Sequence, residues 1–178
     1  FKRHYFAENT IEIQSVNNKR FAAVLAIKNY TDKTYHNILE KLNSIDCSYI
    51  NTHIFQPLDT NTSKDLIVRQ KNRLNQVADY ALSQIDELDT ALDDLQSQRL
   101  SFGYHSNAIL LHAESISALD NNINLISRIF LDAGIMVTRE GLNLESSFMS
   151  MLPANFEFVT RKYLISSKNF IDLLNLEY

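Results

Sequence analysis

The feature that most constrains the fold is a stretch from Ser63 to Gln98 that contains neither glycine nor proline. Within it, apolar residues recur at alternating intervals of four and three, at Leu74, Ala78, Ala81, Ile85, Leu88, Leu92 and Leu95. This spacing is a heptad seam, which places the apolar side chains along one face of a helix. A single helix over residues 63–98 would be roughly 50 Å long, more than a compact domain of this size needs, so the stretch either breaks into a hairpin or projects. Because no glycine or proline marks a break, we predict one long helix. The seam either packs within its own domain or pairs with another chain or domain.

Before this stretch, the sequence predicts a strand–helix–strand unit. Residues 10–16 alternate apolar and polar side chains, as a half-buried strand does, and residues 21–28 form an apolar run typical of a buried strand. Between them lies Asn17-Asn18, a pair suited to a tight hairpin turn. Thr34 stands where the N-cap of a helix over residues 35–45 is expected. Residues 48–56 alternate again and end at Pro57.

A second unit of the same kind follows the long helical stretch. Residues 102–113 are typical of a strand, residues 116–131 carry helical spacing, and residues 135–139 form a short strand. Gly134 suits the C-terminal cap of that helix, and a further helix is predicted over residues 142–151. Two strand–helix–strand units indicate an α+β fold, a ferredoxin-like sheet with a long inserted helix. No low-complexity linker divides the sequence, so we expect residues 1–178 to form a single domain.

Composition narrows the possible functions. With 178 residues and 45% hydrophobic content, the chain is large enough to bury a core. A formal net charge of −4 argues against broad contact with phosphate backbones, so no direct nucleic-acid partner is expected. Cys47 is the one cysteine, which excludes an internal disulfide. The longest clean apolar run, residues 21–27, is far too short to span a bilayer, so we predict no transmembrane segment.

The sequence lacks the motifs of several catalytic and binding classes. A phosphate-binding loop needs closely spaced glycines followed by lysine, whereas Gly103, Gly134 and Gly141 stand apart and none precedes Lys-Ser or Lys-Thr. The five histidines are scattered without metal-ligand spacing, and Gly103-Tyr104 does not extend into an RNA-recognition strand motif. We therefore predict no catalytic, cofactor-binding or metal-binding residue in this chain.

Charges along the predicted long helix are arranged unequally. Its first half carries Lys64, Arg69, Lys71 and Arg73, and its second half carries Asp86, Glu87, Asp89, Asp93 and Asp94. This order opposes the helix dipole, and such an opposed gradient suggests docking against a partner. The simpler interpretation is a solvated acidic face, and a third is a metal or acid–base site. The candidate partner-contact surface consists of Leu88, Leu92, Asp86, Glu87, Asp93 and Asp94.

Three segments carry a resemblance to a known family. They are ENTIEIQSVNNKRFAAVLAIKNY (residues 8–30), QVADYALSQIDELDTALDDLQSQRLSFGYH (76–105) and LPANFEFVTRKYLISSKNF (152–170). In this order they resemble the N-terminal region of the type IV secretion and conjugation ATPases, the CagE/TrbE/VirB family. The resemblance extends over nearly the whole chain, and the pairing of LP-x-NF with ISS-x-NF is its most specific part.

The resemblance implies a parent that is a cytoplasmic ATPase, peripheral at the inner membrane of a bacterium. Such a parent energises assembly of a secretion channel or pilus, or transfer of protein or DNA. Its ATP and Mg²⁺ would be bound by a C-terminal domain beyond Tyr178, and no catalytic residue is carried over to this chain. The region would instead engage inner-membrane channel subunits and neighbouring copies of the parent in a homo-oligomer. The alternatives are a stand-alone coiled-coil adaptor without an ATPase domain and a small metal-dependent enzyme.

Overall fold

A computed structural model describes residues 3–16, 18–31, 33–76 and 82–174. The described residues form seven strands, which are β1 (Arg3–Phe6), β2 (Ile11–Gln14), β3 (Lys19–Asn29), β4 (Tyr49–Pro57), β5 (Phe102–Ala113), β6 (Met136–Arg139) and β7 (Tyr163–Ser166). They also form five α-helices, which are α1 (Thr60–Gln76), α2 (Leu82–Gln96), α3 (Ile116–Asp132), α4 (Leu144–Ser150) and α5 (Ser167–Leu173). None of the helices in these ranges is both long and apolar enough to cross a membrane.

The strands form an open antiparallel sheet in the order β1-β2-β3-β5-β4. Strand β6 pairs with β3, and β7 pairs with β5. A sheet of antiparallel strands combined with helices confirms the predicted α+β class. The described residues form two compact units, unit 1 (within Phe1–Ile54, Ser106–Lys162 and Asp172–Tyr178) and unit 2 (within Phe55–His105 and Tyr163–Ile171).

In unit 1, the predicted hairpin of β2 and β3 is confirmed. Ile11 pairs with Ala22, Gln14 pairs with Lys19, and the N–H of Ser15 donates to the carbonyl of Asn18 at 2.8 Å. Asn17 of the predicted turn lies outside the described residues. Every residue of β3 from position 22 to position 27 is buried, as expected for an uninterrupted apolar run at the centre of a sheet.

The helix predicted after β5 is confirmed as α3, and hydrogen bonds at its two ends explain where it begins and ends. The Ser115 hydroxyl accepts the N–H of Ala118 at 3.2 Å, as an N-cap does. At the other end, Gly134 has a φ of +74° and donates its N–H to the carbonyl of Leu131 at 2.9 Å. The N–H of Ile135 reaches back to the carbonyl of Phe130 at 2.8 Å, which completes a Schellman motif. The face with helical spacing is buried at Leu119, Ile123, Ile126 and Phe130.

The predicted α-helix over residues 35–45 is wrong, because this segment holds only a short 3₁₀ helix, Glu40–Ser44. Thr34 does not cap it; its hydroxyl instead donates to the carboxylate of Asp172 at 2.5 Å. Asn37 has a φ of +58°, a left-handed conformation that a right-handed helix cannot include. The apolar spacing is still used, because Ile38, Leu39 and Leu42 are buried.

The prediction of one long helix over residues 63–98 is also wrong. In unit 2, α1 ends at Gln76 and α2 begins at Leu82, and residues 77–81 lie outside the described part of the chain. The Lys71 ammonium donates to the Asp89 carboxylate at 2.7 Å, although a continuous helix would separate these residues by roughly 27 Å. The two helices pack against each other as a helical hairpin, which gives the apolar seam a partner within unit 2.

Candidate partner-contact surface

The hairpin that carries the candidate surface has a defined beginning. The Asp59 carboxylate accepts the backbone N–H of Thr62 at 2.9 Å and the Thr62 hydroxyl at 2.5 Å, as an N-cap residue does. The hydrogen bond from the Thr62 hydroxyl is the main reason that the pKa of Asp59 lies below its usual value. A carboxylate at this position also interacts favourably with the N-terminal end of the helix dipole, so α1 begins at Thr60.

The apolar seam on α2 is mostly occupied within unit 2. Leu95 is only 3% exposed, and Ile85, Leu88 and Leu92 are half-buried. On α1, Ile67 is also 3% exposed. The two candidate leucines, Leu88 and Leu92, are therefore only partly exposed, on a helix that packs against α1.

The outer side of α2 is different. Asp86, Glu87 and Asp93 are exposed, and their spacing places them on the stripe opposite the seam. Asp94 is half-buried and closes the helix, because its carboxylate pairs with the Arg99 guanidinium at 3.0 Å and its backbone carbonyl accepts the N–H of Arg99 at 2.9 Å. Of the six candidate residues, three carboxylates are therefore available to a partner without any rearrangement.

The unequal charge distribution has a different cause from the one the sequence suggested. Since the stretch forms two helices rather than one, the basic half and the acidic half are complementary elements of a hairpin. Lys71 and Asp89 show this directly through their ion pair. Lys64, Arg69 and Arg73 on α1 remain exposed. The charges therefore do not oppose the dipole of a single long helix. The excessive length of a single helix and this charge reversal are the sequence signals that indicate the hairpin.

Burial is the main cause of a shifted pKa at two groups in unit 1, His53 and Cys47. Burial lowers the pKa of His53 to about 4, so its imidazole is neutral at pH 7, and the Asn107 side-chain amide lies 3.4 Å from its Nε2. Burial and, secondarily, the Asp46 charge raise the pKa of the Cys47 thiol. Within the described ranges, no three His, Cys, Asp or Glu side chains are grouped so that they could hold a metal ion.

Comparison with known proteins gives consistent matches. The profile of the CagE, TrbE, VirB family, a component of the type IV transporter system, matches residues 2–161. The type IV secretion system protein virB4 of Bartonella henselae is 33% identical over 171 residues, which are 96% of this chain and 22% of that relative. The virB4 protein of Brucella abortus is 30% identical over 95% of this chain and 20% of its own length. Protein virB4 of Rhizobium radiobacter is 26% identical over 94% of this chain and 21% of its own length.

The chain thus spans about a fifth of the length of the curated relatives that it matches, at 20–22%. The match covers the first two segments of the resemblance in full and the third segment up to residue 161. Because the profile extends from residue 2 to residue 161, the chain belongs to the CagE, TrbE, VirB family of type IV transporter components.

Proposed function

We propose that this chain is a docking and assembly region of a type IV secretion ATPase, which energises channel or pilus assembly and substrate transfer across the bacterial envelope. The observation that carries the proposal is the 33% identity to a virB4 protein over 96% of the chain. In this proposal the chain contains no catalytic site of its own. ATP and Mg²⁺ are bound elsewhere in the parent protein, in a domain C-terminal to residue 178.

The proposed mechanism is mechanical. Movement driven by nucleotide in the ATPase domain passes through this region to inner-membrane channel subunits and to neighbouring copies of the parent. The hairpin of α1 and α2 is the proposed contact element, because Asp86, Glu87 and Asp93 form an exposed acidic stripe on it. Charges of this kind orient a partner and accelerate its association more than they add affinity. The parent would act in the cytoplasm, peripheral at the inner membrane.

We also propose that the core of the fold is ferredoxin-like. The strand path β6-β3-β5-β4, with α3 connecting β5 and β6, supports this assignment. In this view the short 3₁₀ helix Glu40–Ser44 takes the place of the first crossover helix. The hairpin of α1 and α2 is then an insertion between β4 and β5, which suits an element used for contact rather than for the core.

The ATPase assignment is tested by reading the gene beyond the codon for Tyr178. A GxxxxGK[ST] loop after a predicted strand is expected there, because its backbone N–H groups and lysine would bind the phosphates of ATP. A stop codon directly after Tyr178 would contradict the ATPase assignment and favour a stand-alone adaptor. Hydrolysis of ATP by the purified full-length protein provides the biochemical counterpart.

The contact surface is tested by charge reversal in the full-length protein. We expect the triple variant Asp86→Lys, Glu87→Lys, Asp93→Lys to remain folded, because all three side chains are exposed, and to lose substrate transfer in a complementation assay. The matched control makes the same charge change at exposed carboxylates of unit 1, at Asp46, Glu114 and Glu157. Equal transfer by the two triple variants would show that the acidic stripe is not a contact surface.

A further inference from the structure

Unit 1 contains a cleft of about 500 Å³ that the proposed function does not use. Its lining consists of Phe6, Ala7, Glu8, Gly141, Leu142, Leu144 and Glu145. One wall is the turn between β1 and β2, and the other is the segment between β6 and α4. The volume lies within the range of pockets that bind ligands or anchor side chains.

The wall formed by the turn between β1 and β2 is held in place by Arg139. Its Nε donates to the carbonyl of Asn9 at 2.9 Å, and a terminal nitrogen donates to the Thr10 hydroxyl at 2.7 Å. The other terminal nitrogen donates to the Asp120 carboxylate on α3 at 2.8 Å. Within the turn, the N–H of Ala7 donates to the carbonyl of Thr10 at 2.8 Å. These bonds connect the turn to two other elements of unit 1, so this wall is preformed.

The opposite wall is fixed as well. The Glu140 carboxylate is buried and accepts the Arg161 guanidinium at 2.5 Å, and the Glu140 N–H donates to the carbonyl of Val24 at 2.8 Å. At Gly141 the walls meet closely, because a Cβ there would lie 3.2 Å from the carbonyl oxygen of Glu8. Because both walls are already fixed, a ligand that entered the cleft would not incur a large entropic cost of ordering them.

The interior of the cleft is apolar and continuous with the core. Leu144 is 2% exposed, and the Phe6 ring packs edge-on against Phe148 with centroids 5.7 Å apart. Leu142, by contrast, is fully exposed at the rim, where it has 107% of its reference exposure. A leucine displayed beside an apolar cleft is suited to contact a large apolar side chain that enters the cleft.

The rim also carries a charge of one sign. Glu8 and Glu145 are exposed carboxylates, and the residues that line the cleft include no lysine, arginine or histidine. We propose that this cleft binds a peptide segment that presents a large apolar side chain flanked by lysine or arginine. The apolar side chain enters between the walls and covers Leu142, while the flanking cations face the two glutamates. The site is remote in sequence from the hairpin of α1 and α2, and its argument does not depend on the proposed function.

The proposal is tested by titrating the isotopically labelled 178-residue chain with three blocked hexapeptides while its amide signals are recorded by NMR. The probes are Lys-Lys-Leu-Phe-Lys-Lys, Gln-Gln-Leu-Phe-Gln-Gln and Glu-Glu-Leu-Phe-Glu-Glu. We expect the lysine peptide to shift the signals of Ala7, Glu8 and Leu142 in a saturable manner. The glutamine peptide should bind several-fold more weakly and the glutamate peptide least, with a difference that shrinks as salt is added.

Matched variants separate the apolar and charged contributions. Leu142→Ser should weaken binding of the lysine peptide about tenfold. The control is Val16→Ser, because Val16 is also exposed, at 86%, and this variant should bind the peptide as tightly as the wild type. Glu8→Gln with Glu145→Gln should weaken the lysine peptide but not the glutamine peptide. The control is Glu114→Gln with Glu157→Gln, at exposed carboxylates outside the cleft.

Four results would overturn the proposal. The first is a set of shifts that maps elsewhere on the chain, and the second is equal affinity for the lysine and glutamate peptides. The third is absence of saturation by the lysine peptide at about 10 mM, which corresponds to a negligible affinity. Binding of the glutamine peptide as tightly as the lysine peptide would likewise reject the charge complementarity on which the partner's chemistry rests.

Discussion

Units 1 and 2 bury their apolar side chains to very different extents. In unit 1, β3 is buried throughout residues 22–27, and Leu119, Ile126 and Phe130 of α3 are fully buried. In unit 2, the buried apolar side chains of the described ranges are Ile67, Leu95 and Ile165. Since burial of apolar surface is the main source of folding free energy, we expect unit 1 to be the more stable.

Unit 2 depends more on polar contacts. The Asp59 carboxylate caps α1, Lys71 pairs with Asp89, and the N–H of Ser167 donates to the carbonyl of Ser101 at 2.8 Å. Contacts of this kind contribute about 1 kcal/mol or less each. Elements held by few buried contacts are those that open locally and take part in binding and conformational change. A regular apolar seam therefore does not by itself produce a buried core. We expect mutations in the two units to change the free energy of unfolding by different amounts.

The largest effect is expected from Phe130→Ala in unit 1. Phe130 is fully buried, so the substitution removes its packing and leaves a cavity, at a cost of about 3–5 kcal/mol in the free energy of unfolding. Leu131→Ala is the control. The side chain of Leu131, the next residue along the helix, is 63% exposed, so its truncation should cost less than about 0.5 kcal/mol. Urea unfolding followed by circular dichroism compares them. Equal midpoints for the two variants would contradict the assignment of α3 to the core.

Leu95→Ala probes unit 2 in the same way. Leu95 is 3% exposed, and its truncation should cost about 3 kcal/mol locally. Hydrogen exchange should accelerate in α1 and α2 and remain unchanged in β3 and α3, because the opening involves unit 2 alone. Gln96→Ala, at an exposed neighbouring position, is the control. Uniform acceleration across both units would show that they unfold as one cooperative body.

The elements of unit 1 could largely be predicted from the sequence, because local signals agree there with tertiary packing. The apolar run at residues 21–28 forms β3, and Gly134 ends α3 through a left-handed conformation that its lack of a Cβ permits. Each of these signals is contained in a few adjacent residues. The family resemblance could also be recognised, because it depended on sequence segments rather than on contacts.

The failures have a common physical origin in contacts between residues distant in sequence. Thr34 has the character of an N-cap, but its hydroxyl bonds to Asp172, 138 positions away. The heptad seam has the same spacing in one helix as in two, so its periodicity could not distinguish a long helix from a hairpin. The exposed carboxylates Asp86, Glu87 and Asp93 could be predicted because an acidic stripe opposite an apolar seam faces water in either arrangement. The half-burial of Leu88 depends on tertiary packing, which its spacing along the helix does not specify.

The two units should also differ in their response to acid. Burial lowers the pKa of His53 in unit 1 from 6.5 to about 4, whereas in the unfolded chain it returns to the ordinary value. The unfolded state therefore binds the proton first as the pH falls. The free energy of unfolding is therefore unaffected by His53 well above pH 6.5 and falls as the pH drops towards 4, by about 3 kcal/mol. In unit 2, Asp59 has a lowered pKa, so its contribution is lost only at more acidic pH.

Denaturant unfolding at several pH values between 4.5 and 7 measures this difference. The wild-type free energy of unfolding should fall over the range, and His53→Gln should flatten the curve because it removes the titrating group. Exchange protection of α1 should change little over the same range. A wild-type curve as flat as that of the variant would show that His53 is not responsible for the acid sensitivity of unit 1.

The smallest effect separates the hairpin from a single long helix. Lys71 and Asp89 are partly exposed, at 29% and 48% of their side-chain surfaces, so their coupling should be only about 0.5 kcal/mol. A double-mutant cycle of Lys71→Met and Asp89→Asn, read from exchange protection in α1 and α2, isolates this coupling. The control cycle uses Lys64, which lies about two turns before Lys71, in place of Lys71, and should show no coupling with Asp89. In a continuous helix both pairs would lie beyond interaction distance, so a coupling confined to Lys71 and Asp89 is expected only of the hairpin. Equal couplings in the two cycles would contradict a specific ion pair between α1 and α2.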